Sequence, residues 1–342
     1  MKPTLSVITS TYNKSKYLDI TLAGYRMQRD KNFELVIVND GGTDHTEEII
    51  SKYSKDVRIR YVYQPNTGIA GARNKALEAA EGDFILIVDD DRIPSPAFVA
   101  EHRKTLEADN KTVSIGKQHR LVSFYSNLLN FEYQQWMNLF KDFPHLAESK
   151  EEVQLFTAED LMNDCEHVLQ TYSIGEFDPA MLHPYVELYG NDLDGFHFAW
   201  SKAFGGNIGY DRRHAQGVRY DTDYRGYGKE DTDLSYQLYL QGYRYRFAPK
   251  AENYHQDHPR NIREYQQHYA NFRQFQDKHR SLEVYLHTLD HFGEISQSDA
   301  NAFLSILHKA GSDLLPLIGD YVKRNQPSNP QHRQPVVQAK AL

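Results

Sequence analysis

Asp89, Asp90 and Asp91 stand in a row at the end of the apolar run Phe84-Ile85-Leu86-Ile87-Val88. Carboxylates this close disfavour one another's ionisation, so the cluster asks for a compensating cation. At the C-terminal end of a buried strand they suit a hard divalent ion, which takes oxygen ligands and often shares them with phosphates. A solvated acidic turn capping the next helix accounts for the same three residues, so the rest of the chain has to decide. A second acidic group, Glu230-Asp231, follows Gly226-Tyr227-Gly228-Lys229. An acidic first helical turn is favoured by the helix dipole by a few tenths of a kcal/mol, up to about 1. That explains the two acids but not the glycines before them, which permit close approach of backbone to a ligand. Further on, Tyr254-His255-Gln256-Asp257-His258 supplies imidazoles, which are good ligands for Mn2+ when neutral.

These groups need elements to position them. Over the first 116 residues, strands at Leu5–Thr9, Phe33–Asn39, Ile59–Tyr63, Phe84–Val88 and Val113–Gly116 are expected to alternate with helices. The helices fall at Ser15–Met27, Asp44–Tyr53, about 69–80 and Pro96–Ala108. This alternation predicts a mostly parallel sheet covered on both faces, whose ligands bind beyond the carboxyl ends of its strands. The polar clusters lie at those ends: Ser10-Thr11-Tyr12-Asn13, Asp40-Gly41-Gly42, Gln64-Pro65-Asn66 and the three aspartates. Thr43 or Asp44 can cap the helix after Asp40, which leaves Asp40 spare for a ligand. Gly68-Ile69-Ala70-Gly71-Ala72-Arg73-Asn74 opens a helix without forming a dinucleotide fingerprint or a P-loop. The helix dipole does not favour a cation in the first turn, so Arg73 is expected to serve an anion: Asp40, the aspartates or a ligand phosphate.

From 117 to 195 the pattern changes. Leu121–Phe140 reads as a long aromatic helix, Ala158–Gln170 as a helix capped by Thr157, and Tyr172–Asp194 as irregular. Phe196–Ala203 reads as extended, Glu230–Gln241 as helical and Tyr243–Phe247 as a strand. Helices are expected at about 262–278, 297–310 and 313–323, before a polar tail from Asn325. The corresponding segments are 1–116, a helical insertion or lid over 117–195, a catalytic half over 196–258, a helical extension over 259–324 and a disordered tail over 325–342.

The chain has 342 residues and a formal charge of −8, which argues against a generally nucleic-acid-binding surface. The single Cys165 excludes an intrachain disulfide and fits a reducing compartment. No signal-peptide core or spanning apolar stretch is read, so a cytoplasmic protein with no integral membrane segment is expected.

Taken together, Thr-Tyr-Asn, Val-Asn-Asp-Gly-Gly, Asn-Thr-Gly-Ile-Ala-Gly-Ala-Arg-Asn and Val-Asp-Asp-Asp resemble the nucleotide-sugar-binding half of family 2 glycosyltransferases. That family has the GT-A fold, a Rossmann-like α/β sheet flanked by helices. The resemblance implies a metal-dependent transfer of a hexose or N-acetylhexosamine from a UDP-sugar. It places Thr11, Tyr12, Asn13, Asp40, Gly68, Arg73, Asp89, Asp90 and Gly206 at the nucleotide sugar. Thr11, Tyr12 and Asp40 would hold uracil, and Asp89 would face the ribose. Asp91 would bind Mn2+ or Mg2+, and Asp90 would face the donor sugar or a basic group.

The second half resembles the Gly-(Trp/Tyr)-Gly-x-Glu-Asp motif of galactosyltransferase-like and chondroitin-polymerase-like enzymes. It implies Asp231 as catalytic base and Glu230 at a sugar. Lys229 stands where relatives often carry Gly or Trp, which leaves the acceptor pocket open. Such enzymes place a metal-binding histidine near His255, with His258 the competitor. The expected acceptor is a glycan, a peptide or a small molecule, and a homodimer is possible. The rivals are a retaining transferase on the same scaffold, a nucleotidyltransferase and a non-catalytic nucleotide-sugar-binding protein.

Overall fold

The computed structural model describes residues 4–177, 179–226, 228–259 and 263–310. β1 (Leu5–Thr11), β2 (Phe33–Asp40), β3 (Ile59–Gln64) and β4 (Phe84–Ile87) are joined through α1 (Ser15–Arg26), α2 (Thr46–Tyr53) and α3 (Ile69–Ala79). β5 (Arg92–Pro94) follows the aspartates at once, before α4 (Phe98–Glu107) and β6 (Thr112–Leu121). A middle region holds β7 (Phe124–Tyr125), α5 (Tyr133–Asp142), β8 (Val153–Gln154), α6 (Ala158–Asn163), α7 (Cys165–Thr171), β9 (Ser173–Glu176) and α8 (Pro179–Tyr189). β10 (Ile208–Asp211), α9 (Glu230–Leu240) and β11 (Arg244–Gln256) come next. α10 (Arg263–His279), α11 (Leu282–His291) and α12 (Gln297–Ala310) end the described chain.

The central sheet runs β3-β2-β1-β4-β10-β6-β11-β5, with β9 also paired to β6. β1 to β4 are parallel, β10 is antiparallel between β4 and β6, and β11 is parallel to β6. Side chains alternate across it with period two. Leu5 and Val7, Leu35 and Ile37, and Phe84 and Leu86 pack on one side with Leu18 and Leu22 of α1 and Phe98 of α4. Ile8, Val36 and Val38, and Ile85 and Ile87 pack on the other with Ala72 and Ala76 of α3, Leu234 of α9 and Leu304 of α12. Burial of both faces is why these strands read as mostly apolar runs, broken only by Ser6, Thr9 and Glu34 before their polar ends.

The middle of the chain departs from expectation. Leu121–Phe140 is not one helix. Gln118 to Leu121 pair with β11 as the end of β6, Phe124-Tyr125 pairs with β8, and α5 starts only at the reciprocal cap between Glu132 and Gln135. The expected helix over 158–170 is two helices. Thr157 caps the first, and Asp164 breaks the run by accepting from the His167 amide to cap the second. Tyr172–Asp194 is largely regular, because β9 pairs with β6 and α8 follows. Phe196–Ala203 is not extended: Ala199–Lys202 makes a short 3-10 turn that buries Trp200. β5, β10 and α11 were not foreseen. β6 runs through residue 116, so the first segment has no structural break there. The helix expected at 313–323 and the tail lie outside the described residues. Among the described residues no helix is long and apolar enough to cross a membrane.

Candidate active site

Three strand ends share the carboxyl edge. The register sets Thr11 opposite Asn39 and Asp40 opposite Gln64. Asn13, at φ 54°, accepts from the Thr43 amide and so ties the turn after β1 to the turn after β2. Tyr12 beside it is half exposed at the edge. Asp40 is not spare. Its Oδ1 accepts from Gln64 Nε2 at 2.7 Å and the Thr67 amide at 2.9 Å, and its Oδ2 from the Gly68 amide at 2.9 Å. Asp40 therefore shapes the loop that opens α3, with Gly68 at φ 84° as the residue that needs the positive angle. Neither Thr43 nor Asp44 is the cap residue of α2, which is His45 without a side-chain capping bond; Asp44, one residue earlier, accepts from the Thr46 amide and hydroxyl and from the Ser15 amide.

Arg73 projects from α3 and is almost wholly buried. Its guanidinium donates to Asp89 Oδ1 at 2.7 Å, Asp231 Oδ1 at 2.7 Å and Glu230 Oε1 at 3.2 Å. Tyr220 adds a hydroxyl to Asp231 at 3.2 Å, and its ring lies under the guanidinium. One cation thus joins the first acidic motif to the second, whose Asp231 lies 158 positions along the chain from Arg73. Asp40 is not among its partners. The glycines of Phe204-Gly205-Gly206-Asn207 make room for this knot. A Cβ on Gly205 would collide with the Asp231 carboxylate. A Cβ on Gly206, which sits at φ 94°, would lie 2.6 Å from Asp89 Oδ2 and from Arg92 Nε. Burial drives the Glu230 carboxyl up, and neighbouring Asp231 adds to it, to about 7. Glu230 Oε2 is buried without a hydrogen-bond partner. α9 starts at Glu230 after Lys229 in the left-handed region, φ 75°. Further into the same turn, Asp233 is fully buried and held by His279 at 2.6 Å and Lys278 at 3.0 Å, mooring α9 to α10.

Asp91 faces a different set of groups. β5 pairs antiparallel with β11 so that Arg92 opposes His255, and the Gln256 amide donates to the Asp91 carbonyl at 2.9 Å. That short strand brings His255 and His258 to Asp91. Asp91, His255 and His258 present ligand atoms within 4.8 Å of one another. Asp91 Oδ2 lies 3.2 Å from His258 Nε2. Asp91 Oδ1 lies 3.8 Å from His255 Nε2 and has no hydrogen-bond partner, although buried. His255 Nδ1 meets Asp257 at 3.0 Å, which orients the ring and turns Nε2 toward Asp91. Burial holds His255 below the ordinary imidazole range, hence neutral and able to ligate. Two imidazoles and one carboxylate with an orphaned oxygen fit a divalent transition ion such as Mn2+ better than Mg2+, which prefers oxygen alone.

Sequence reasoning missed Lys14, whose ammonium lies 2.6 Å from Asp91 Oδ2, 2.9 Å from His258 Nε2 and 3.8 Å from Asp90 Oδ1. Asp90 thus faces this basic group. Burial raises the Asp90 carboxyl to about 7 despite Lys14. Arg92 was missed as well; it lies 3.4 Å from Asp89, donates to Gln118 at 2.6 Å and sits over the Phe177 ring. Its position directly after the aspartates was the one available signal. Near Arg92 a cavity of about 40 Å³ is lined by Lys117, Gln118, Glu176, Phe177, His183 and Lys202, among others.

Residues 6–153 match the model of the family described as glycosyl transferase family 2. The chain is 28% identical over 289 residues to the uncharacterized glycosyltransferase YfnE of Bacillus subtilis, covering 82% of this chain and 72% of that protein. It is 27% identical over 274 residues to the chondroitin synthase of Pasteurella multocida, covering 75% of this chain but only 25% of that protein. Among solved structures it resembles S. aureus TarS 1-349 in complex with UDP-GlcNAc, with a TM-score of 0.56 at 18% identity over 87% of this chain and 74% of that one. That last likeness is one of fold.

Proposed function

We propose an inverting, metal-dependent transfer from a UDP-sugar to an acceptor hydroxyl, a reading supported by the match of residues 6–153 to glycosyl transferase family 2 and by the GT-A type of the fold. The observation that carries this reading is the Arg73 knot. It sets the proposed donor-side Asp89 and the proposed base Asp231 on one guanidinium, 2.7 Å from each. Thr11, Tyr12, Asn13, Asp40 and Gly68 would form the uracil side of the donor site, Asp40 acting through the loop it holds. Asp90 and Gly206 would border the sugar. The donor sugar would reach toward the cavity near Arg92, whose lining from β6, β9 and α8 carries its specificity.

Asp231 would take the proton from the acceptor hydroxyl as that oxygen attacks the anomeric carbon. A single displacement inverts the centre and needs no protein nucleophile. Arg73 and its tyrosine neighbour keep the Asp231 carboxylate aimed. Asp91, His255 and His258 would hold Mn2+ or Mg2+, which supplies Lewis-acid neutralisation of the departing diphosphate when bound. The likeness to chondroitin synthase favours a glycan acceptor over a peptide or a small molecule. The cytoplasmic setting and a homodimer stand as proposals beside it.

The elevated Glu230, with its orphaned Oε2, favours a second reading in which Glu230 accepts the proton. Asp231→Asn decides between them. It should bind UDP-sugar as before and lose transfer by roughly 10²- to 10⁴-fold. Near wild-type turnover in that variant, with loss in Glu230→Gln, moves the base to Glu230. NMR of the product anomer, inverted or retained, separates the proposed mechanism from a retaining one.

A further inference from the structure

We propose that Lys14 is a built-in counter-ion that occupies the cation position of the Asp91–His255–His258 cluster and gives it up only when a nucleotide diphosphate arrives. The inference rests on the metal reading of that cluster. It makes metal binding and nucleotide binding depend on each other.

Lys14 ends the turn after β1. Asn13 fixes that turn through the Thr43 amide, and the Lys14 carbonyl accepts from the Tyr17 and Leu18 amides at 3.0 Å each as α1 begins. The backbone is therefore anchored while the side chain reaches across. Its ammonium takes one half of the cluster, Asp91 Oδ2 at 2.6 Å and His258 Nε2 at 2.9 Å. The other half, Asp91 Oδ1 and His255 Nε2, is left 3.8 Å apart without a hydrogen bond between them.

A divalent ion held by all three residues needs the His258 lone pair that the ammonium now engages. A second positive charge within a few ångströms would also repel it, the more so because Asp91 and His255 are buried away from the screening of water. The ion and the ammonium therefore exclude each other. Lysine suits such an exchange, being a point charge on a flexible stem. Its side chain keeps 30% of its exposure. The residues just before it, Thr11 to Asn13, form one wall of the proposed donor site. A diphosphate bound beside them is the nearest new anion for the displaced ammonium. Coupling of this kind is reciprocal: the nucleotide tightens the metal as much as the metal tightens the nucleotide.

The test is Mn2+ binding to the full chain with and without UDP, read by loss of the free-ion EPR signal and by calorimetry. Wild type should bind Mn2+ weakly alone and at least tenfold more tightly with UDP. Lys14→Met should bind Mn2+ at least tenfold more tightly than wild type without UDP, and most of the UDP dependence should vanish. Lys16→Met, the same charge change on an exposed neighbour paired with Glu152, should match wild type. His255→Ala should abolish binding in both the wild-type and the Lys14→Met background. Equal Mn2+ affinity of Lys14→Met and wild type without UDP overturns the inference and leaves the metal site standing. Failure of every form to bind Mn2+ even with UDP, or binding untouched by His255→Ala, overturns the metal reading and the inference with it.

Discussion

Asp89 and Asp91 are two residues apart, yet each is neutralised in a different way. Asp89 joins Asp231 and Glu230 on the buried guanidinium of Arg73. Asp91 meets the partly exposed ammonium of Lys14 and two imidazoles. Arginine offers five donors in a planar fork and can hold three carboxylates at fixed angles, whereas lysine offers a movable point charge. The Arg73 end is built to keep its geometry, and the Lys14 end to change partners. The sheet explains the split: after Val88 the chain turns sharply enough that β5 leaves toward β11, so alternate aspartates face opposite sides of one junction.

The comparison breaks first at Arg73. Arg73→Met leaves Glu230 buried and Asp231 and Asp89 without their shared cation. Removing one partner of a buried ion pair costs about 3–5 kcal/mol. We expect a loss of that size in urea unfolding, little of it restored by Arg73→Lys, which cannot reach all three. A loss below about 1 kcal/mol would mean that the knot is not what holds the two halves of the site together.

How much of this was legible varies along the chain. Strands β1, β2 and β4 were found in sequence because they are buried on both faces and mostly apolar, and half-buried β3, at the sheet edge, because its apolar and aromatic residues still form a run. Asp89, Arg73, Glu230 and Asp231 were each singled out, but the partnership of Arg73 was left open, because it depends on the fold bringing the start of α9 to α3 from 157 positions away in sequence. β10 itself, four residues with a central glycine, has no periodicity to read. Asp40 looked spare because the hydrogen bonds that claim it come from residues 64 to 68, a loop whose path no local pattern fixes. The middle region misled most, because its short elements are set by pairings distant in sequence, β9 on β6 and β7 on β8, and by caps at Glu132 and Asp164 that interrupt what reads as continuous helix. Lys14 was silent for a simpler reason: a lysine after a turn is ordinary, and only the fold brings it to Asp91 and His258.

The knot holds three carboxylates against one guanidinium, so one of them is surplus, and pH sharpens that point. Glu230 titrates near 7 in the folded chain against an ordinary 4.5. A carboxyl raised by folding contributes stability that is full below its unfolded value and is lost as pH rises through the folded one. Wild type should therefore lose stability relative to Glu230→Gln between about pH 4.5 and 7, by on the order of 2 kcal/mol, and the variant should be the more stable at pH 8. Paired urea titrations at pH 5 and pH 8 read this directly. Parallel curves would place the surplus charge elsewhere.

Gly206→Ala tests the room that the knot needs. The left-handed angle alone costs a residue with a side chain about 1–2 kcal/mol, and the new methyl group would press on Asp89 and Arg92. The damage should stay at the Asp89 end: weaker UDP-sugar binding and a lower melting temperature, with Mn2+ affinity at saturating UDP as in wild type. An equal loss of Mn2+ affinity would show that the two ends are one rigid unit after all.

The smallest effect belongs to the exchangeable cation. Lys14→Met removes a charge from a buried carboxylate, as Arg73→Met does, but Asp91 keeps two imidazoles beside it and a route to solvent along the lysine's partly exposed path. Water or a metal ion can take the vacated place. We expect a cost of about 1 kcal/mol or less, the range of partly exposed ion pairs, and a larger rise in melting temperature on adding Mn2+ than wild type shows, because a ligand stabilises the state that binds it more tightly. A cost as large as that of Arg73→Met, unrelieved by Mn2+, would make Lys14 a fixed strut and erase the distinction between the two ends of the aspartate triplet.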